Sequence, residues 1–285
     1  MSTFYNSERL KYNQMNYNND VELDNFCSQC LLVINAVGPS FKINDKIALH
    51  ALRNNCHYID IGGYGILRDL LKPYEKSIEA QKLCFIIGVG WMPGISGVFS
   101  KTIIETHLNS PENTNFNIYY GAVDNWSYSS TYDLAASSMG KTRSYVYSHG
   151  KEIQVSPFRY THHKFFPFIG HKKICMPSFD EQLTQLATSL KQIRKISTFI
   201  MLNDYISMGK FMFIKIFYKH NLNKATLMLQ DDYQRLVKKE NKWGSVICQV
   251  SKIEPERKID TFYYLYTKNN LLYTALPAVI TTQYI

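Results

Sequence analysis

The chain has 285 residues, enough for a sizeable core and for two domains, and its 45% hydrophobic and 19% charged residues exclude an intrinsically disordered polymer. Its formal charge is +9, but the Lys and Arg are scattered, and the longest cluster (Lys238, Lys239, Lys242) stands beside Glu240 on what reads as a solvated helix end. No RNA-binding signature or zinc-finger spacing accompanies that charge, so a nucleic-acid partner is not expected.

The N-terminal "MSTFYNSERLKYNQ" has no apolar core for a secretory signal, which sets the expectation of a reducing cytoplasm. Cys27-Ser-Gln-Cys30 is a C-x-x-C without a second pair or a C-x-x-H to complete it. It is expected to be structural, with no metal bound. "CLLVINAVG" (30–38) is a near-continuous apolar run, as in a strand buried on both faces, and "GPS" breaks it. "INDKIALHALRNN" then places Ile47, Ala48, Ala51 and Leu52 on one helical face. Asn44 is the expected N-cap, and Asn54-Asn55 suit the helix end because Asn tolerates the left-handed region. "HYIDIGG" (57–63) reads as a second strand running into a glycine loop, a polar helix is expected over 69–81, and "LCFII" is a third strand. Strand and helix alternate three times, which predicts an α/β fold with a doubly wound parallel sheet.

From about residue 115 the texture changes to α+β. "NFNIYYGAV" reads as a strand, and "SYVYSHGKEIQVS" as a hairpin turning at His149-Gly150. Ser178 and Glu181 have capping-box spacing ahead of the stripe Leu183, Leu186, Ala187, Leu190 and Ile193. Helical stretches are expected over 196–217 and 224–239, followed by the strand "WGSVICQVS". The segment 196–218 is long enough to span a bilayer, but Asn203, Asp204, Lys210 and Lys215 interrupt it. A buried or interface helix is expected instead, and no membrane partner. The division expected is 1–122, with 270–285 packing back onto it, and 123–269 as a second, α+β domain.

The stretch "LCFIIGVGWMPGISGVF" (83–99) passes from strand to glycine loop to helix, the setting in which a dinucleotide-binding turn is credible. The spacing fails, because after Gly88 and Gly90 the third glycine position holds Pro93. The ribose selector about 20 residues further on has no candidate either. This loop is therefore not read as a pyrophosphate turn, and residues 1–30 offer no glycine to replace it.

Three motifs, "LVINAVGPS" (32–40), "ALRNNCHYIDIGG" (51–63) and "GVGWMPGISG" (88–97), resemble in order and spacing consecutive motifs of the saccharopine dehydrogenase-like (saccharopine reductase) family. The resemblance covers about residues 30–150 and returns in "YTALPAVITTQ" near the C-terminus. It implies a nicotinamide-dependent oxidoreductase using NADP or NAD, with a Rossmann-type domain, an inserted α+β domain over a small-molecule substrate, and a homodimer. It also implies that the family's first strand, Gly-rich turn, first helix and second strand should precede "SERLKYNQ". About one βαβ unit is therefore expected to be missing, which leaves only a partial Rossmann-like sheet. The alternative is a catalytically inactive remnant serving as an interaction or dimerisation module.

The resemblance places Gly38, Pro39, Ser40, Gly62, Gly90, Pro93 and Gly94 near the nicotinamide end of the cofactor. Asp60 and Tyr58 share one face of their strand by period-two alternation, with His57 on the other. They are the candidate catalytic pair: Asp60 could orient substrate or exchange a proton, or it could cap the glycine loop. His57 is read as a polar strand-entry residue and Cys56 as a packed thiol. Trp91 and Tyr132 are candidate substrate contacts, together with Tyr128 and Asp133, although Trp91 also reads as a buried aromatic. His162, His163 and His171 are read as surface histidines.

Overall fold

The computed structural model of the chain describes residues 10–62, 65–108, 111–139, 144–218 and 220–285. Gly63, half of the glycine pair after Asp60, lies outside them. α1 (Asp20–Cys27) opens on Asn19, whose side chain accepts from the N–H groups of Val21 and Glu22, and it buries Leu23 and Cys27. β1 (Leu32–Asn35) is followed by a single turn, α2 (Ser40–Ile43), and by α3 (Lys46–Arg53), whose inner face carries Ile47, Ala48, Ala51 and Leu52. Asn44 does not cap α3. It ends α2 with φ 51°, and an N-cap needs extended backbone; Asp45 holds the cap position without a side-chain bond. Asn55, at φ 55°, turns the chain into β2 (His57–Asp60).

The helix expected over 69–81 is two, α4 (Gly65–Leu71) and α5 (Glu75–Ala80), separated by a 3-10 turn at Lys72–Tyr74. Pro73 supplies the break, since it has no N–H to continue the ladder. β3 (Phe85–Ile87) and α6 (Ile95–His107) complete this half. The three strands form a parallel sheet in the order β1-β2-β3, with Asn35 opposite Asp60 and Asp60 opposite Ile87. One face packs Val33 and Tyr58 on Leu23, Ala48, Ala51 and Leu67. On the other face Ile59 and Val89 meet Ala278.

The larger sheet begins with β4 (Thr114–Val123), followed by α7 (Tyr128–Met139). β5 (Ser144–Ser148) and β6 (Lys151–Val155) form the expected hairpin, with His149 at φ 49° and Gly150 at φ 72° in the two turn positions. Then come α8 (Pro157–Tyr160), β7 (His162–Phe166), β8 (His171–Pro177) and α9 (Glu181–Ser189). They are followed by β9 (Lys195–Leu202), α10 (Tyr205–Phe217), α11 (Leu222–Val237), β10 (Trp243–Ile253), β11 (Lys258–Thr267) and α12 (Asn270–Thr281). The strand order is β11-β10-β4-β9-β5-β6, with the β7–β8 hairpin joined to β9 through β8. β4 lies antiparallel to β10 and parallel to β9. The fold is α/β: a parallel sheet beside a mixed one, with helices on both.

Two expectations are corrected here. α9 is capped by Asp180, whose carboxylate accepts from the Leu183 N–H at 2.7 Å, and not by Ser178. The Ser178 N–H is committed to the Thr198 carbonyl. The helix expected over 196–217 is strand to Leu202 and helix only from Tyr205, where Asp204 caps α10 by accepting from Ser207 N–H. "ISTFIML" is an apolar run rich in β-branched residues and is buried along its whole length. Periodicity cannot tell such a run from a buried helix, whereas pairing on both edges settles it. Among the described residues no helix is long and apolar enough to cross a membrane.

Candidate functional site

The carboxyl ends of β1 and β2 bring three polar side chains together. The Tyr58 hydroxyl donates to Asp60 Oδ2 at 2.6 Å, and the Asn35 amide donates to the same oxygen at 2.8 Å and to the Tyr58 oxygen at 3.0 Å. Asn35 Oδ1 accepts from the Val37 N–H, which fixes the start of the "GPS" loop. All three side chains are buried: Asn35 is 5% exposed, Tyr58 0% and Asp60 3%. Burial first, and the neighbouring Asp60 second, hold the Tyr58 hydroxyl far above its ordinary pKa. It therefore stays a donor throughout the working pH range. The alternation of β2 that puts Tyr58 and Asp60 on one face is the local cause of this contact.

The loops above this cluster pack tightly. A Cβ on Gly62 would lie 2.2 Å from Ser40 Oγ, and one on Gly38 would lie 2.8 Å from Ser129 Cβ on α7. Ser40 and Phe41, at the start of α2, donate their N–H groups to Asp133 of α7 at 2.9 and 3.2 Å. Asp133 thus joins the two halves of the molecule. Burial raises its carboxyl above the ordinary value, while the two backbone bonds pull it down. Asn35, Ser40, Asn44 and Asp60, with Ile43, Ile66 and Leu67, enclose a cavity of ≈ 10 Å³, room for about one water. Asn44 Oδ1 is buried there without a hydrogen bond.

The 88–97 loop folds on itself. Gly90 N–H donates to the Pro93 carbonyl and Ile95 N–H to the Gly90 carbonyl, while Gln182 Oε1 accepts from the N–H groups of Gly94 and Gly97 at 2.9 and 3.2 Å. Gly94 has φ 126°, and a Cβ there would lie 2.1 Å from the Gly90 carbonyl oxygen, so only glycine fits. Gly90, Pro93 and Gly94 are buried. The Gly90 turn touches the β2 loop, since its would-be Cβ lies 2.8 Å from the Ile61 carbonyl oxygen.

The remaining expected residues lie apart from this cluster. The Trp91 ring meets Tyr273 edge-on at 5.5 Å and lines a separate, apolar cavity. Tyr132 is buried with Lys42 Nζ 4.5 Å above its ring. His57 Nδ1 accepts from the Cys84 N–H and so ties β2 to the start of β3. The Cys56 thiol donates to the carbonyls of Cys27 and Cys30, and burial raises its pKa. His162 is not a surface residue: its half-buried ring packs edge-on against Tyr119 and Phe199. Among the described residues no group of three or more His, Cys, Asp or Glu is placed to hold a metal ion.

The chain matches no protein-family profile. No curated protein matches it either. Three solved structures follow its course loosely. A dehydrogenase (MviM) from Clostridium difficile is 8% identical over 91% of this chain and 71% of its own, at a TM-score of 0.36. A protein from Thermotoga maritima named as an oxidoreductase is 11% identical over 97% and 76%, at 0.36. The oxidoreductase yvaA from Bacillus subtilis is 8% identical over 85% and 68%, at 0.34. None bears the saccharopine name, and at such TM-scores no residue of theirs is carried over to this chain.

Whether these loops suit a dinucleotide depends on free backbone donors, because a pyrophosphate is held by N–H groups at a helix N-terminus. Here those donors are taken. Asp133 occupies the N–H groups of Ser40 and Phe41, and Gln182 those of Gly94 and Gly97. A carboxylate at the α2 turn would also repel a phosphate. These two loops do not fit the pyrophosphate half of NAD or NADP. Sequence reading missed Asn35, whose polar side chain inside an apolar strand was the available signal, and Gln182, which gave none.

Proposed function

We propose that the chain is a saccharopine dehydrogenase-like oxidoreductase whose parallel sheet presents the substrate-facing part of a nicotinamide site. The observation that supports this reading is the convergence of the β1 and β2 ends on one buried Asn35–Tyr58–Asp60 cluster. It lies at the carboxyl edge of a parallel sheet, where open α/β folds bind their ligands. In this reading Tyr58 and Asn35 fix the Asp60 carboxylate, and the Gly38–Ser40 and Gly62 loops form the floor. The substrate is a small molecule and the assembly a homodimer. Since the N–H donors of the Ser40 and Gly94 loops are already taken, the part of these loops is substrate binding and orientation.

A second reading, a non-catalytic interaction module derived from such an enzyme, is favoured by the occupied donors of Asp133 and Gln182. Titrating the chain with NADPH and NADH under nucleotide fluorescence separates the two. Saturable binding at micromolar concentration supports the first reading. Absence of binding at millimolar concentration, by a chain with a cooperative unfolding transition, leaves the second.

A further inference from the structure

The larger sheet ends differently on its two sides. β6 closes one side with a short strand carrying Lys151 and Glu152, charges of the kind that blunt an exposed edge. β11 closes the other with 10 residues, all paired with β10 in unbroken register, so no bulge twists this edge away. From Thr261 to Thr267 the sequence "TFYYLYT" has neither charge nor proline. Rings hold the strand from both faces: Tyr263 stacks on His107 of α6 at 4.6 Å, and Tyr264 on Phe168 of the β7–β8 turn at 4.2 Å. Phe262 and Tyr264 nevertheless stay 44% and 53% exposed.

The bonding pattern shows which backbone groups this edge offers. At the hairpin end the Glu254 N–H donates to the Arg257 carbonyl, and near the other end Ser245 Oγ on β10 donates to the Leu265 carbonyl. Bonded and non-bonded positions alternate along an antiparallel pair. Both bonds therefore turn the backbone groups of Thr261, Tyr263 and Leu265 toward β10 and those of Phe262, Tyr264 and Tyr266 outward. Among the described residues no other strand lies along them. Such an edge fits another β-strand, and this strand fits itself. With Tyr264 opposite its own copy, Phe262 faces Tyr266, Thr261 faces Thr267, and Asp260 faces the exposed Lys268. Aromatic, threonine and opposite-charge pairs are the favourable cross-strand ones. An axis at Tyr263 would set Lys258 against Lys268, and one at Leu265 would set Phe262 against Lys268. Of the three registers, the one centred on Tyr264 pairs the charges.

We propose that two copies of the chain join edge to edge through β11, antiparallel about a two-fold axis at Tyr264, so that the larger sheet runs on from one copy into the other. Tyr264 with its copy, and Phe262 with Tyr266 on either side, each exchange two backbone hydrogen bonds. The paired segment, 260–268, spans about 30 Å at roughly 3.4 Å per residue. The pairing rests on the homodimer of the oxidoreductase reading but not on its cofactor. Its readout is assembly, so failure to pair and failure to bind nucleotide are separate results.

The test is sedimentation velocity of the full chain from about 1 to about 100 µM, with amide hydrogen exchange at both ends of that range. A two-chain mass that grows in with concentration is expected, and the Phe262, Tyr264 and Tyr266 amides should slow as it does. Tyr264→Pro removes an outward N–H that β10 does not use, so the variant should fold and stay single. Asp260→Lys sets like charges against Lys268 in both halves of the interface and should weaken the dimer about tenfold. Adding Lys268→Asp should restore it. A single-chain mass throughout overturns the proposal and leaves the edge to a strand of another protein. So does a dimer whose three amides exchange as in the single chain, or one that Asp260→Lys leaves unchanged. Should Tyr264→Pro not fold, failure of Lys268→Asp to rescue Asp260→Lys decides against it.

Discussion

Replacing Tyr58 with Phe isolates the contact on which the site reading depends. The hydroxyl donates to Asp60 Oδ2 at 2.6 Å and accepts from Asn35 at 3.0 Å, in a setting where Tyr58 is 0% exposed. The phenyl ring would keep its packing against Phe85, 5.4 Å away between centroids, so the loss is confined to one oxygen. A hydrogen bond to a carboxylate contributes about 1.5–3 kcal/mol. Asn35 retains its bond to Asp60, so we expect a cost of about 2 kcal/mol, a large share of the ~5–15 kcal/mol that holds a typical domain folded. Urea melts followed by circular dichroism would compare wild type, Tyr58→Phe, Asp60→Asn and the double variant. Coupling between the two sites should be at least about 1 kcal/mol. A single-variant cost under about 0.5 kcal/mol, or additive effects, would refute the claim that the hydroxyl holds the carboxylate in place.

Gly62→Ala should cost about 1–3 kcal/mol, because its Cβ would sit 2.2 Å from Ser40 Oγ. Adding Ser40→Gly should recover most of that loss, and a single variant that melts like wild type would contradict the packing. Asp133 has a raised pKa in the folded state. Its contribution to stability is therefore fully present below the ordinary carboxyl value of 3.8 and is lost as pH rises through the raised folded value. The stability advantage of wild type over Asp133→Asn should accordingly shrink from acid to neutral pH, and a widening gap would show the sign to be wrong. Gln182→Ala should cost about 1–2 kcal/mol and accelerate amide exchange at Gly94 and Gly97. Unchanged exchange at those two amides would mean that Gln182 does not hold the loop.

Where local chemistry decides conformation, the sequence was legible. The alternation in "HYID" placed Tyr58 and Asp60 on one face, and they hydrogen-bond there. His149-Gly150 turned the hairpin, and Asn55 took the left-handed position. Where two local solutions compete, it was not. Ser178 and Asp180 can each cap a helix, and the start of α9 at Glu181 puts Asp180 at the cap position. "ISTFIML" suits a buried helix as well as a buried strand until β4 supplies a partner. The site's outer contacts were out of reach for a different reason. Asp133 reaches Ser40 across 93 residues, and Gln182 reaches Gly94 across 88. Neither leaves a periodic or spacing signal near the residue it serves.

The antiparallel pairing of β4 with β10 has a kinetic consequence. Tyr119 and Gln249 hydrogen-bond across 130 residues of chain, and β4 is an inner strand of its sheet. A chain emerging from the ribosome can close the parallel β1-β2-β3 sheet early, from short-range crossovers. β4 must then wait, apolar and with one edge open, until β10 has been synthesised. During synthesis the smaller sheet can therefore pair its strands early, but the face of Ile59 and Val89 stays uncovered until Ala278 is made, and chaperone demand should concentrate on that interval.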